Sequence, residues 1–326
     1  MLGDTHPAAR ITCAPVNAIQ APPGEGPPAR TLCLGEALVD LICERQIEDL
    51  GEADAFVPHF GGAVANVAVI AARAGGRVAL AGGAGEDDWG SWLRDRLEDE
   101  GVELSCFELL AGHQTPVAVV TVDFAGEARY HIYGETIATV AGALGDRIEQ
   151  AVRESAALFI SSNTLVGEQE RAVTMRAREL ALSLERPVVL DPNLRLHRWR
   201  SHADAAASAN ACVPGALLVR CNQAEAALMT GEQDPERGAT ALVKAGARMV
   251  VITLGARGAI LRGELRADVP GVGVEVRSTI GAGDVLTGVL LGKLALTGYY
   301  PPAVAASLRD AVAQSARACE RWGAIE

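Results

Sequence analysis

From Thr31 onward, short runs of β-branched and aliphatic residues alternate with longer stretches in which apolar positions recur at helical spacing. The runs in TLCLGEALVDLI, RVALAGGAG, ALFISS, PVVLDPN, LLVRCN and RMVVITLG read as strands with their exits. NVAVIAARAG, DWGSWLRDRLEDEG, EQERAVTMRARELALSL and QAEAALMTG read as helices, the first closed by Gly75 and Gly76 and the second by Gly101. Strand and helix in turn predict a largely parallel sheet covered on both faces. One segment breaks the rhythm. PVAVVTVDFAGEARYHIY alternates with period two on either side of a turn at Ala125 and Gly126, the pattern of two strands in a sheet with one wet face. A separate antiparallel piece of this kind predicts a lid or flap.

In open parallel sheets, ligands bind beyond the carboxyl ends of the strands, and the polar residues of this chain gather there. Glu36 and Asp40 follow the first strand; Gly61, Gly62 and Asn66 precede the first helix. Asp191, Asn193 and Arg195 follow VVL, Asn222 and Glu225 follow LLVRC, and VVITLG ends in Thr253, Leu254 and Gly255. Each has a local explanation: Asn222 and Glu225 have the spacing of a capping box, and the Gly-Gly and DPN segments suit tight turns. Their convergence on one sheet edge is what turn chemistry does not explain. The stretch RSTIGAGDVLTG, residues 277–288, sits between a short β-like run ending at Val276 and an apolar helix. Asp284 in the first turn offsets the helix dipole. Small residues ahead of it also let a ligand reach free amides that bind anions, and a carboxylate beside them can take a proton. These are the parts of phosphoryl transfer to an alcohol.

Composition narrows the partners. With 326 residues, 49% hydrophobic and 21% charged, the chain buries a large core as one sizeable domain or two small ones. A formal net charge of -12 argues against a nucleic-acid surface and for a small soluble partner. Seven scattered cysteines without a C-x-x-C motif indicate neither a disulfide framework nor a zinc site, and the cytosol is the expected compartment. Residues 1–30 are proline-rich without an apolar signal region and read as a flexible leader; residues 31–326 read as the folded domain. No apolar run is long enough to span a membrane. P-loop, G-x-G-x-x-G, G-x-S-x-G and H-E-x-x-H motifs are all missing. The histidines form no ligand cluster, and His59 reads as a surface or lid residue.

STIGAGD with its following helix, GGAVANVA, GGAGEDDWG, DPNLR, NQAE and VVITLGARG occur in an order that resembles the ribokinase-like, or PfkB, carbohydrate kinases, from about Thr31 to Ala324. GEALVDLI and TPVAVVTVDFAGEARYHIY look most like fructokinases and 2-keto-3-deoxygluconate kinases. The resemblance implies an α/β three-layer sandwich with a mostly parallel central sheet and a small antiparallel β lid, near residues 50–62 and 113–135. It implies Asp284 as general base and Gly281, Ala282 and Gly283 as an anion hole for the γ-phosphate of ATP. By the same resemblance, Asn222 and Glu225 organise Mg²⁺ through its waters. Thr253, Gly255 and Gly258 meet the nucleotide phosphates, and Gln314 lies near the adenine. Asp40, Gly61, Gly62 and Asn66 hold sugar hydroxyls, and Arg195 faces the transferred phosphate or a substrate anion. Partners are then a small sugar and ATP, with a homodimer formed through the lid.

Three departures stand out. Ser278 replaces the acid that in related kinases helps bind a monovalent cation, Arg220 stands where lysine is common, and GETIA follows Tyr133 where sugar kinases often place an arginine. The expected activity is phosphorylation of a primary hydroxyl, with fructose the first choice. A 2-keto-3-deoxygluconate kinase is the alternative, needing Arg195 or Arg129 for the carboxylate. A catalytically silent sugar- or nucleotide-binding protein is the reading from another class.

Overall fold

The computed structural model describes residues 30–134 and 136–325, so the expected leader lies outside the described residues except for Arg30. Thirteen strands are present among them: β1 Thr31–Leu34, β2 Leu38–Gln46, β3 Val57–Gly61, β4 Val78–Gly85, β5 Glu103–Leu110, β6 Val117–Val122, β7 Ala128–Tyr133, β8 Ala157–Ser161, β9 Val188–Asp191, β10 Leu218–Asn222, β11 Met249–Thr253, β12 Ala259–Gly263 and β13 Ala267–Val269. The helices are α1 Ala63–Arg73, α2 Asp88–Asp99, α3 Thr136–Ala143, α4 Ile148–Arg153, α5 Glu168–Ser183, α6 His202–Asn210, α7 Gln223–Thr230, α8 Pro235–Lys244, α9 Ala282–Leu296 and α10 Pro302–Ala318.

Nine strands form the main sheet in the order β13-β12-β11-β10-β9-β8-β1-β4-β5. It is parallel from β11 to β5, and β12 and β13 extend it antiparallel. Both faces are buried, so alternate residues of one strand enter different cores. Leu32 and Leu34 of β1 point to one and Cys33 to the other; Val250 and Ile252 of β11 oppose Met249 and Val251 in the same way. Strands covered on both sides therefore read as continuous apolar runs.

Helix α9 is apolar nearly all round because it packs against α1 and α10 and shares one buried core with the sheet. Its glycines set the α1 contact: a Cβ at Gly288 would stand 2.6 Å from Cβ of Ile70, and one at Gly292 2.6 Å from Cβ of Ala74. No side chain fits there, so the two helices close to backbone distance and bring Asn66 of α1 to Asp284 of α9.

The second sheet has the order β3-β2-β6-β7, with β2 and β6 parallel and the other two pairs antiparallel. It differs from expectation in two ways. TLCLGEALVDLI is not one strand and its exit but two strands in two sheets, broken at Gly35, where a Cβ would stand 2.4 Å from Cγ2 of Val64. Residues 50–56 add only a single 3-10 turn, Leu50–Glu52, and β3 begins at Val57. Residues 274–276, β-like in sequence, pair with no strand. The described cysteines are free, and among the described residues no helix is long and apolar enough to cross a membrane.

Candidate active site

The carboxyl edge of the main sheet carries two cavities that meet at Asp284. The larger, about 540 Å³, is bounded by Asn222, Glu225, Thr253, Gly255, Gly258 and the first turn of α9, with the loop 271–276 and α10 on its far side. The smaller, about 30 Å³, is lined by Glu36, Asp40, Gly62, Asn66, Asn163, Arg195, Arg198 and the inner face of the small sheet. Gly281, Asp284, Arg195 and Tyr130 border both.

The junction is built by the turn before α9. Gly281 is the N-cap with φ +70°, a left-handed conformation that glycine adopts freely. A Cβ there would stand 2.2 Å from Cβ of Ala324, so the position is closed sterically as well. Ala282 N–H donates to the Thr279 carbonyl at 3.3 Å, and the first helical turn brings its orphan amides to the cleft. Gly283 is small for a separate reason: its Cβ would lie 2.6 Å from Nη1 of Arg220. Arg220, read from sequence only as a substitute for lysine, thus lies directly under the first turn of α9. It pairs with Asp191 at 3.2 Å and donates to Oγ1 of Thr253 at 3.1 Å; Thr287 Oγ1 donates to Asp191 at 2.6 Å.

Asp284 is buried, and its carboxylate accepts Nδ2 of Asn66 at 2.9 Å and Nδ2 of Asn193 at 3.2 Å. Burial pushes its pKa up to about 7; the Asn66 hydrogen bond, Arg195 and Arg220 pull against that shift, and Asp191 adds to it. Asp40 is raised to about 7 as well, mainly by burial, with Arg195 opposing and Asp284 and Glu36 reinforcing. Two carboxyls poised near neutrality at one junction suit a proton acceptor and its neighbour. Arg195 lies over the ring of Tyr130, 5.0 Å from its centroid, which fixes the guanidinium between the two cavities.

Asn222 and Glu225 form a full capping box at the start of α7. Each Glu225 oxygen already accepts one amide, from Leu194 and from Asn222, at 2.8 Å, and keeps a lone pair for another donor. The capping role and a role toward metal-bound water are therefore compatible. No cluster of three metal-ligating side chains occurs among the described residues.

Most of the expected residues reach one of the two cavities. Gly61 borders Asp40, where a Cβ would stand 2.5 Å from Oδ2, and Gly62, φ +97°, is the N-cap of α1. Gln314 does not reach the cleft: it is exposed and donates to Asp310, and α10 presents Val312, Ser315, Ala316 and Cys319 there instead. Arg129 is also outside, on the surface, donating to the Glu48 carbonyl beside Asp123. His59, read as a surface or lid residue, lies in β3 of the small sheet and is buried there opposite Asp40, with Nε2 2.9 Å from Glu44. Ser278 is fully enclosed, its Oγ accepting the Ile280 amide at 3.0 Å, so it contributes a neutral hydroxyl, as the sequence implied. Asn163 and Arg198 were not foreseen; their roles depend on loops that carry no periodic signal.

The family described as pfkB family carbohydrate kinase matches residues 29–326, and the chain belongs to that family. It is an ATP-dependent carbohydrate kinase by that membership, with a ribokinase-like fold. Among similar curated proteins, fructokinase-1 of Oryza sativa subsp. japonica is 31% identical over 262 residues, covering 80% of this chain and 81% of the rice protein. The structure of fructokinase from Vibrio cholerae O395 with fructose, ADP and calcium ion superimposes with a TM-score of 0.77 at 28% identity, covering 91% of this chain and 95% of that one. Fructokinase from Xylella fastidiosa with bound ATP gives a TM-score of 0.75 at 26% identity, covering 90% and 93%.

Proposed function

We propose that this chain transfers the γ-phosphoryl group of ATP to a primary hydroxyl of a small sugar, with fructose the first candidate. The observation that carries the reading is the meeting of the two cavities at Asp284. One is large enough for a nucleotide; the other, at about 30 Å³ too small for a whole sugar unless the small sheet moves outward, is lined by hydroxyl-binding groups; and a carboxyl raised to about 7 lies between them.

The roles follow from position. ATP occupies the larger cavity with its phosphates toward Asn222, Thr253, Gly255 and Gly258 and its terminal phosphate at the first turn of α9. The sugar lies against Asp40, Gly61, Gly62 and Asn66. Asp284 takes the proton of the attacking hydroxyl as its oxygen bonds to phosphorus, the bond to ADP breaks, and the proton later passes to solvent. First-turn amides and Arg220 beneath them hold the charge on the phosphoryl oxygens, while Arg195 spans acceptor and phosphate. Mg²⁺, when bound, would offset the phosphate charge, and Asn222 and Glu225 are the residues that would hold it, through water. Ser278 offers no charge for a monovalent cation. The small sheet acts as the lid: its inner face walls the sugar, and the Gly126 carbonyl in its β6–β7 turn accepts both N and Oγ1 of Thr279, tying it to the anion-hole loop.

A 2-keto-3-deoxygluconate kinase is the second reading, favoured by Arg195 at the acceptor pocket. An ADP-release assay with Mg-ATP and fructose, ribose, 2-keto-3-deoxygluconate, inositol or adenosine tests both. Fructose should give the highest kcat/KM; no ADP release above the acceptor-free rate with any of them would leave a silent binding protein.

A further inference from the structure

Glu36 stands at the turn between the two sheets, and its two carboxylate oxygens are treated differently by the fold. Oε1 accepts the Ala63 amide at 3.1 Å and Nδ2 of Asn163 at 2.7 Å, and Asn163 is itself braced by Nη1 of Arg198 at 3.1 Å. Oε2 is buried and has no partner among the described residues. A buried carboxylate oxygen without a donor is costly and asks for an explanation. Glu36 borders the acceptor pocket of about 30 Å³ and, on its other side, a void of about 10 Å³ at the lower limit for one water, so the acceptor pocket is the roomier source of a donor.

We infer that Glu36 is a specificity-determining residue whose Oε2 accepts a hydroxyl of the sugar at the end remote from the transferred one. This rests on the sugar-kinase reading above. Glu36 holds the amide of Ala63 at the start of α1 and Asp284 the side chain of Asn66 one turn further on, and both carboxyls line the same acceptor pocket, so they can meet different hydroxyls of one small sugar.

The chemistry selects between acceptors. Oε2 of an ionised carboxylate is acceptor-only, so it rewards an O–H and repels a carboxylate. Arg198 does not reverse this, because its charge faces Glu36 and Glu170 and one of its donors is engaged by Asn163. Fructose presents a hydroxyl at its remote end; 2-keto-3-deoxygluconate presents an acid.

Glu36→Gln isolates the free atom. The amide keeps one oxygen for Ala63 and Asn163 and replaces Oε2 by a donor. Expected are a fructose KM raised about 10- to 100-fold, kcat within about threefold, and a kcat/KM ratio of fructose to 2-keto-3-deoxygluconate lowered at least about tenfold. Fructose affinity by calorimetry should fall with KM, while the melting temperature holds or rises because an unpaired charge is gone. A variant with wild-type fructose affinity, or one whose melting temperature drops while its KM ratio stays fixed, overturns the inference and leaves Glu36 a structural brace. A wild-type protein that neither binds fructose nor releases ADP overturns the sugar-kinase reading itself, and this inference with it.

Discussion

Asp284→Asn should make the protein more stable at neutral and alkaline pH. The carboxyl is 5% exposed, and burial is the leading cause of its rise from an ordinary 3.8 to about 7. A folded pKa above the unfolded one means that the native state binds the proton more tightly. Its contribution to stability is complete below about pH 4 and is lost as pH rises through about 7. At pH 8 the ionised carboxylate therefore costs about 4 kcal/mol relative to a neutral group. Asparagine loses part of this gain, because one of the amides of Asn66 and Asn193 then faces an NH₂ group, at about 1–2 kcal/mol. The net is about 2–3 kcal/mol, or roughly 5 °C in a chain of this size. Calorimetric melting of both proteins at pH 8 and pH 5 is the assay. The gain should be clear at pH 8 and shrink at pH 5, where the folded carboxyl is largely protonated. A variant less stable at pH 8, or equally stabilised at both pH values, would refute the assignment of Asp284 as a buried carboxyl held ionised for function.

Glu225→Gln should raise the Mg²⁺ concentration for half-maximal rate by about 10- to 100-fold, read from Mg²⁺ titrations at saturating ATP; an unchanged titration with a lowered melting temperature would leave only the capping box. With Ser278 neutral and enclosed, the rate should be the same in potassium, sodium and tetramethylammonium salts at fixed ionic strength. Activation of several-fold by potassium would show that a cation site survives without the acid.

The core of the site was legible because its chemistry is local. A Gly-Ala-Gly-Asp turn opening an apolar helix specifies free amides and a carboxylate within four residues, and the glycines close to α1 that aim it are in the same segment. The parallel sheet was legible because strands buried on both faces stay apolar throughout. Periodicity does not say which sheet a strand joins, so β1 and β2 merged across Gly35, and β5, a half-exposed edge strand interrupted by Glu103 and Glu108, left no clear pattern. Gln314 failed by one residue: a single step along α10 turns the side chain by about 100°, and Ser315 faces the cleft instead. The brace from Arg198 through Asn163 to Glu36 joins three loops whose meeting is set only by the finished fold.

The account turns on Asp284 as the proton acceptor between a nucleotide and a sugar. Its most direct test is the turnover of ATP and fructose to ADP and a hexose phosphate by the wild-type protein and Asp284→Asn, with ATP affinity measured alongside. The wild-type protein should form the phosphorylated sugar, and the variant should lose about 10²- to 10⁴-fold in kcat while binding ATP nearly as well. A variant that keeps more than half of the wild-type turnover would contradict the account.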